Sequence, residues 1–446
     1  MTSSVTLTRP PLALSVASFV STFDRFAVNP MLVLIAVDLR VSLATAVAVA
    51  SGYFLAYGLS QPMWGVLSDR FGRVPVMRVA LLGAALAGLA SALMPTLGAL
   101  VISRVVAGAC FGAVIPTSLT YVGDTVGVSL RQRALSILMG VSAMAIAVAT
   151  ATGGVLGGLA GWRVVFTMAA LCALACVIGL RALPEPPRAE VGHLGRHVGA
   201  VLRGRWPPLV FALAFVEGAV VLGTLTFLAT ALQYHGVSTA VAGLGTATYG
   251  LGVWLFTRLV MRLSRGWPVW RLIAVGGAQL CAGYTIVAVD VSVATVTVAA
   301  LLLGGGWSFM HSSLQTWATS VAPRARGTAV AFFAASLFVG SAASSWAAGP
   351  LAEQGRYPLL FGLAAGVALP LTVVAAVARR RYGLLPARDA SENTGDGTRD
   401  AIGDGARGAT GDGARGATGG PAREAAGDGA RGSAQDAART EGGDRP

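Results

Sequence analysis

The sequence predicts an all-α membrane protein, with twelve transmembrane helices arranged as two pseudo-symmetric six-helix bundles. Three observations carry that prediction. Of 446 residues, 54% fall in the hydrophobic set and 12% are charged, whereas a soluble domain carries roughly 25% charge; mean hydropathy is +0.68. The stretches 41–68, 79–103, 134–162, 291–322 and 327–352 contain no Asp, Glu, Lys or Arg, and each exceeds the ~20 residues that a bilayer-spanning helix needs. The basic residues, all 33 of them arginine, collect in alternate gaps between the apolar stretches.

That alternation fixes the expected orientation. Arg9, Arg70, Arg73, Arg78, Arg131, Arg133, the arginines of 181–205 and 258–271, Arg324, Arg326 and those of 379–381 fall on one side. The intervening gaps hold only Arg40, Arg163 and Arg356. By the positive-inside rule the chain is expected to be a multi-pass protein of the cell (inner, cytoplasmic) membrane with both termini cytoplasmic. A formal charge of +13 would suggest nucleic acid in a soluble protein; spread in this way it is an orientation signal, and no nucleic-acid partner is expected. Cys110, Cys172, Cys176 and Cys281 all lie in apolar runs without His or acids beside them. They read as packing residues, and no metal or cofactor is expected.

Charge gaps and turn residues place the spans near 12–37, 43–66, 76–95, 98–122, 133–158, 163–182, 207–233, 239–262, 270–290, 293–318, 327–350 and 357–379. An even number agrees with both termini on one side. Residues 1–182 are expected to form the N-terminal six-helix bundle and 207–381 the C-terminal one. Between them, 183–206 carries Pro184, Pro186, Pro187 and several basic residues, and reads as a cytoplasmic linker. Residues 382–446 repeat "GDGARGAT" and are rich in Gly, Ala, Asp and Arg. Such a composition cannot bury enough apolar surface to offset its ordering entropy, so a disordered cytoplasmic tail is expected.

The two halves repeat each other. "LRQRALS" at 130–136 parallels "PRARGTA" at 323–329, and "GWRVVF" at 161–166 parallels "GRYPLLF" at 355–361. Two six-helix repeats about an axis along the membrane normal are a transporter architecture, with the site at the repeat interface near the midplane.

The most specific string is Gly65-Val66-Leu67-Ser68-Asp69-Arg70-Phe71-Gly72-Arg73, between spans two and three. Gly65 permits close helix approach and Gly72 a turn with positive φ. Asp69 suits a helix N-terminus, and Arg70 and Arg73 suit acids or helix C-termini. The string resembles the loop signature of the major facilitator superfamily, with Val74 and Pro75 in place of the basic residues common there. Arg104-Val105-Val106-Ala107-Gly108 in span four resembles that family's Arg-containing helix, and Asp124 with Arg131 resembles the groups that complete the loop's charge network. Gly153, Gly154, Gly157 and Gly158, followed by Gly161-Trp162-Arg163, resemble the glycine-rich motif of its antiporters, with Gly154 where the motif has proline. A close-packing glycine seam is the alternative reading of those glycines. The resemblance covers roughly 10–380 and is nearest to the 12-span drug–proton antiporters. The second-half equivalent of the loop has Arg262 where Asp69 stands, so it is degenerate.

Asp24, Arg25, Arg104 and Glu217 are the ionisable residues deep within spans. A charge costs ~2.5–3.5 kcal/mol at a helix centre, so Arg104 should face a cavity or a partner. Asp24 and Glu217 are separated by 193 positions, close to the offset of the repeat, which would make them mates flanking one cavity. Apolar surroundings disfavour the charged form of a carboxyl group, the property that lets such a group carry a proton. Asp24, Glu217 and Arg104 are therefore proton-coupling candidates, while a permanent Asp24–Arg104 bridge and a Glu217 facing the polar mouth remain open. Tyr53 and Trp307 are the cavity-lining candidates, and His311 in span ten is a proton-relay candidate.

The expected function is secondary active transport: proton-coupled efflux of small hydrophobic or drug-like molecules by alternating access, as in multidrug resistance. The partners are that small molecule, protons and the lipid bilayer, and the protein is expected to be a monomer. A proton symporter importing a sugar, organic acid or other nutrient is the alternative, and a non-transporting receptor a distant one. An enzyme is not expected: His-Glu-x-x-His is absent, and the deep acids are one aspartate and one glutamate without the Gly-x-Gly-Asp setting of intramembrane aspartyl proteases.

Overall fold

The computed structural model describes residues 9–186 and 204–384. Residues 187–203 of the expected linker (183–206) and 385–446 of the expected tail (382–446) lie outside the described residues. Twelve helices are long and apolar enough to cross a membrane. In order they are α1 (Leu12–Asp38), α2 (Leu43–Phe71), α3 (Arg73–Leu93), α4 (Leu97–Thr125), α5 (Val128–Ala160) and α6 (Trp162–Ala182). The second set is α7 (Trp206–Tyr234), α8 (Thr239–Leu263), α9 (Val269–Val289), α10 (Val293–Val321), α11 (Arg326–Glu353) and α12 (Tyr357–Gly383). The described residues form no strand.

Every expected span has its helix. The largest boundary shifts are at α2, which continues through Phe71, and α5, which begins at Val128.

Several helices are interrupted, each for a local reason. Pro30 has no N–H to donate, and α1 tightens into a 3-10 turn over Asn29–Met31 before resuming at Leu32. Helices α7 and α10 each contain a π turn, Ala219–Gly223 and Trp307–His311. A π turn inserts one residue, and such turns gather at functional sites.

Contacts repeat between the halves. Within the first, α1 packs on α5, α2 on α4, and α3 on both α4 and α6; within the second, α7 packs on α11, α8 on α10, and α9 on both α10 and α12. The principal contacts between halves, α5 with α8 and α2 with α11, are also exchanged by the same operation. Side-chain equivalence is less strict than the 193-position spacing implies. After their breaks, α1 resumes at Leu32 and α7 at Leu228, an offset of 196, and each residue of slippage turns a side chain by about 100° on a helix.

The α5 glycines face two neighbours: Gly153 and Gly157 lie against α1, and Gly154 and Gly158 against α8. A Cβ at Gly153 would stand 2.3 Å from the Ala27 carbonyl oxygen, and one at Gly154 would stand 2.6 Å from Gly243 Cα. At Gly157 the neighbour is the Met31 side chain at 3.1 Å, and at Gly158 it is Thr239 Cβ at 3.6 Å, an ordinary contact. Gly154 therefore has no room for the proline that the antiporter motif carries. Two substitutions separate these environments: Gly154→Ala should cost about 1–3 kcal/mol through overpacking, whereas Gly158→Ala should be near neutral. Thermal unfolding of the purified variants checks this.

Hydrogen bonds tie the halves together at one end. At the end opposite the arginine-rich one, Gln233 donates to the Pro30 carbonyl at 3.0 Å, and Glu353 accepts from the Ala44 amide at 3.3 Å, tying α7 to α1 and α11 to α2. Along α1, Leu12 and Val16 are exposed near the basic end, whereas nearly every residue from Val20 to Leu32 is buried. Helix α7 repeats this, with Ala212 and Phe215 exposed and Val220 to Leu232 buried. A cleft of about 590 Å³ opens at the basic end between α1 and α5, lined by Arg9, Leu12, Ser15, Arg133 and Ile137.

Candidate functional site

In each half, an acid on the first helix meets a base on the fourth. Arg104 of α4 is fully buried and grips Asp24 of α1 in a fork: Nη1 donates to Oδ1 at 3.0 Å and Nη2 to Oδ2 at 2.8 Å, with a further bond from Nη2 to the Asp24 carbonyl at 3.2 Å. The guanidinium lies 4.6 Å from the Tyr53 ring centre and 4.5 Å from that of Phe166. Two π faces and a bidentate carboxylate together offset the cost of placing a cation here. Tyr53 is itself buried, with a hydroxyl that has no partner among the described residues, so it packs on the ion pair and does not line an open cavity.

The second pair is built differently. Glu217 of α7 is fully buried; its Oε2 lies 3.3 Å from His311 Nδ1 of α10, and its Oε1 has no partner among the described residues. His311 stacks on Trp307 with centroids 3.8 Å apart and rings 9° from parallel, and its side chain is 15% exposed. Glu217 directly precedes the α7 π turn through Gly218, and His311 closes the α10 π turn. Helix α11 presses against this place: a Cβ on Gly218 would fall 1.8 Å from the Leu337 carbonyl oxygen, and one on Gly340 would fall 1.9 Å from that of Phe215.

Asp24 and Glu217 do not open into one shared vestibule, as their spacing suggested. Their relative exposures are 1% and 0%, because each carboxyl turns toward the base within its own half. Only the Glu217 pair has a partly exposed member.

A third charge lies between the halves. The Arg25 guanidinium is 4.9 Å from the Tyr57 ring centre, 5.1 Å from Phe26 and 5.3 Å from Phe338. Near it, Asn29, Thr150, Thr246 and Tyr249 line a cavity of about 10 Å³, on the scale of a single water. Asn29 Oδ1 and the Tyr249 hydroxyl have no partners among the described residues.

At the basic end, the loop signature lies mostly within α2, with the turn confined to Gly72 at φ 104°. Arg73 Nη1 pairs with Asp69 and donates to Ser68 Oγ at 2.8 Å, while its Nε donates to Asp124 Oδ2 at 3.1 Å. Three expectations change here. Asp69 does not occupy the α3 N-terminus; Glu185 does, accepting from the amides of Arg73 and, at 2.8 Å, Val74. Gly65 does not mediate a close approach, since a Cβ there would meet nothing within 4 Å. Arg70 and Arg131 stand outside the network: Arg70 lies over Phe71 at 5.4 Å, and Arg131 Nε has no partner. A Cβ at position 72 would meet Glu185 Oε1 at 2.6 Å, so glycine serves both the turn and the acid.

Glu185 was not singled out by sequence reasoning. Its signal was an acid between Pro184 and Pro186 in a basic segment. Replacing it with alanine should cost about 0.5–2 kcal/mol, as loss of a helix cap does, read as a lower thermal midpoint that Glu185→Asp partly restores.

The chain belongs to the Major Facilitator Superfamily, whose sequence model matches residues 14–344. It is 29% identical to a chloramphenicol resistance protein of Streptomyces lividans over 76% of this chain and 90% of that protein. It is 34% identical to efflux pump dotC of Dothistroma septosporum over 34% of this chain, a match spanning 26% of the pump's own length. The solved structure of a D-xylose–proton symporter superposes with a TM-score of 0.67 at 15% identity, covering 82% of this chain and 96% of the other; at that identity the likeness is one of fold. The chain is thus a member of that superfamily with twelve helices, among the described residues, long and apolar enough to cross a membrane.

Proposed function

We propose that this member of the Major Facilitator Superfamily expels small hydrophobic or drug-like organic molecules in exchange for protons. It acts by alternating access as a monomer in the cell membrane, with both termini in the cytoplasm. The observation that carries this reading is the Glu217–His311 pair: a fully buried carboxyl with one oxygen unpartnered, 3.3 Å from an imidazole that is itself partly open. Glu217 holds the proton, His311 passes it to the open side, and the two flanking π turns give α7 and α10 a backbone that can change register.

Cargo enters from the cytoplasm as Glu217 gives up its proton through the imidazole. After the halves rock, Glu217 is reprotonated from outside and cargo leaves. The Asp69–Arg73–Asp124 network with Glu185 acts as the latch: these bonds join α2, α3 and α4 to the segment after α6, so the first half moves as one body. The glycine seam serves as the contact along which α5 and α8 change their angle.

Symport of a sugar, organic acid or other nutrient is the second reading, favoured by Gly154 where the antiporter motif has proline. Flux direction separates the two. In a host lacking its own drug pumps, expression should lower accumulation of chloramphenicol or of another compound in an antibiotic and dye panel, and a protonophore should restore it. Accumulation raised by expression contradicts the efflux reading.

A further inference from the structure

One intramembrane arginine faces no acid among the described residues. Asp24 is matched by Arg104 and Glu217 by His311, while Arg25, midway along α1, has no acid against it and no hydrogen bond from its guanidinium among the described residues. Three aromatic faces hold it at 4.9–5.3 Å. Ring faces attract a cation but do not accept its in-plane N–H groups well, so they leave the fork of donors unused. Its Nε is buried and unpartnered. Between Val20 and Leu32, Arg25 is the one residue of α1 that is not buried. It also bridges the halves, with Tyr57 on α2 and Phe338 on α11.

An unpaired cation at mid-membrane is costly, and a planar guanidinium is suited to bidentate binding of a carboxylate. We propose that Arg25 is the anion-recognition point of the cargo site, so that the molecules carried are apolar or aromatic bodies bearing a single negative group such as a carboxylate. A guanidinium with unused in-plane donors matches a monoanion, and Tyr57 and Phe338, buried beside it, fix its place between the halves. This deepens the transport reading above and rests on it.

Three probes of one shape test it: 2-naphthoate, 2-naphthamide and 2-naphthylmethylammonium. Each is titrated against the purified full chain, and ligand-induced thermal stabilisation is measured without a gradient. The wild type should bind naphthoate about tenfold or more tightly than the amide, as a charge-assisted fork implies. Arg25→Gln should bring the two to parity while amide binding persists. Arg25→Lys should retain a reduced preference, since an ammonium keeps the charge without the fork. A wild type that binds the amide or the ammonium probe at least as well, or binds none of the three, overturns the proposal. So does an Arg25→Gln protein that still prefers naphthoate, which would leave Arg25 a bridge between halves only. If Arg25→Gln fails to fold, the wild-type ranking and Arg25→Lys decide. Binding is read without proton movement, so failure of the Glu217 reading would leave this preference intact, and loss of the preference would leave proton coupling intact.

Discussion

Replacing Arg104 with glutamine is expected to destabilise the protein by about 3–5 kcal/mol, the cost of removing one partner from a buried ion pair. Asp24 would be left with 1% exposure; of the rings that flank the guanidinium, Phe166 carries no donor and the Tyr53 hydroxyl makes no bond to Asp24. Asp24→Asn alone should cost a comparable amount, because it strands the cation. The double variant Asp24→Asn/Arg104→Gln, which restores a neutral hydrogen-bonded pair, should recover most of the loss, giving a coupling energy of a few kcal/mol in a double-mutant cycle. Purified variants compared by thermal unfolding provide the readout. The double variant should also keep proton-driven transport, since in this account the first pair braces α1 against α4. A stable double variant without coupling would move the proton site to Asp24.

Glu217→Gln is expected to have the opposite profile, with a modest effect on stability and a large one on energy conversion. Glutamine can still meet His311, and the site's tight neighbours are backbone atoms around Gly218 and Gly340, which the change does not touch. What is lost is a group that binds and releases a proton. A proton crossing the membrane releases about 2.3 kcal/mol per 100 mV, which sustains a cargo gradient of roughly fiftyfold. The variant should therefore exchange cargo down its gradient at near wild-type rates, while accumulation against a gradient falls to parity. Vesicle uptake with and without an imposed proton gradient measures both.

The fold was legible because its signals are local. Apolar runs bounded by charge gaps and turn residues locate all twelve helices, and arginines mark alternate ends. The site was legible one residue at a time: Asp24, Arg104, Glu217 and His311 each stand out as polar groups in apolar runs. The Asp24–Arg104 bridge was one of the open readings, but the Glu217–His311 pair was not read, since the two lie 94 residues apart and nothing in either span names the other. The 193-position spacing suggested a symmetric acid pair on one cavity, but each carboxyl faces the base of its own half, Asp24 toward Arg104 and Glu217 toward His311. Glu185 escaped notice because its role depends on a proline-bounded segment returning to the α3 N-terminus. Gly65 was over-read, since a signature fixes residue types but not which glycine faces a neighbour.

The central claim is that the Glu217 carboxyl carries the proton, and one titration bears on it most directly. Purified protein in a weakly buffered solution is given a cargo identified by the efflux screen, and protons released are counted with a pH-sensitive dye. The account predicts release from the wild type and from Asp24→Asn/Arg104→Gln, and none from Glu217→Gln although cargo still binds. Full release from Glu217→Gln would contradict it.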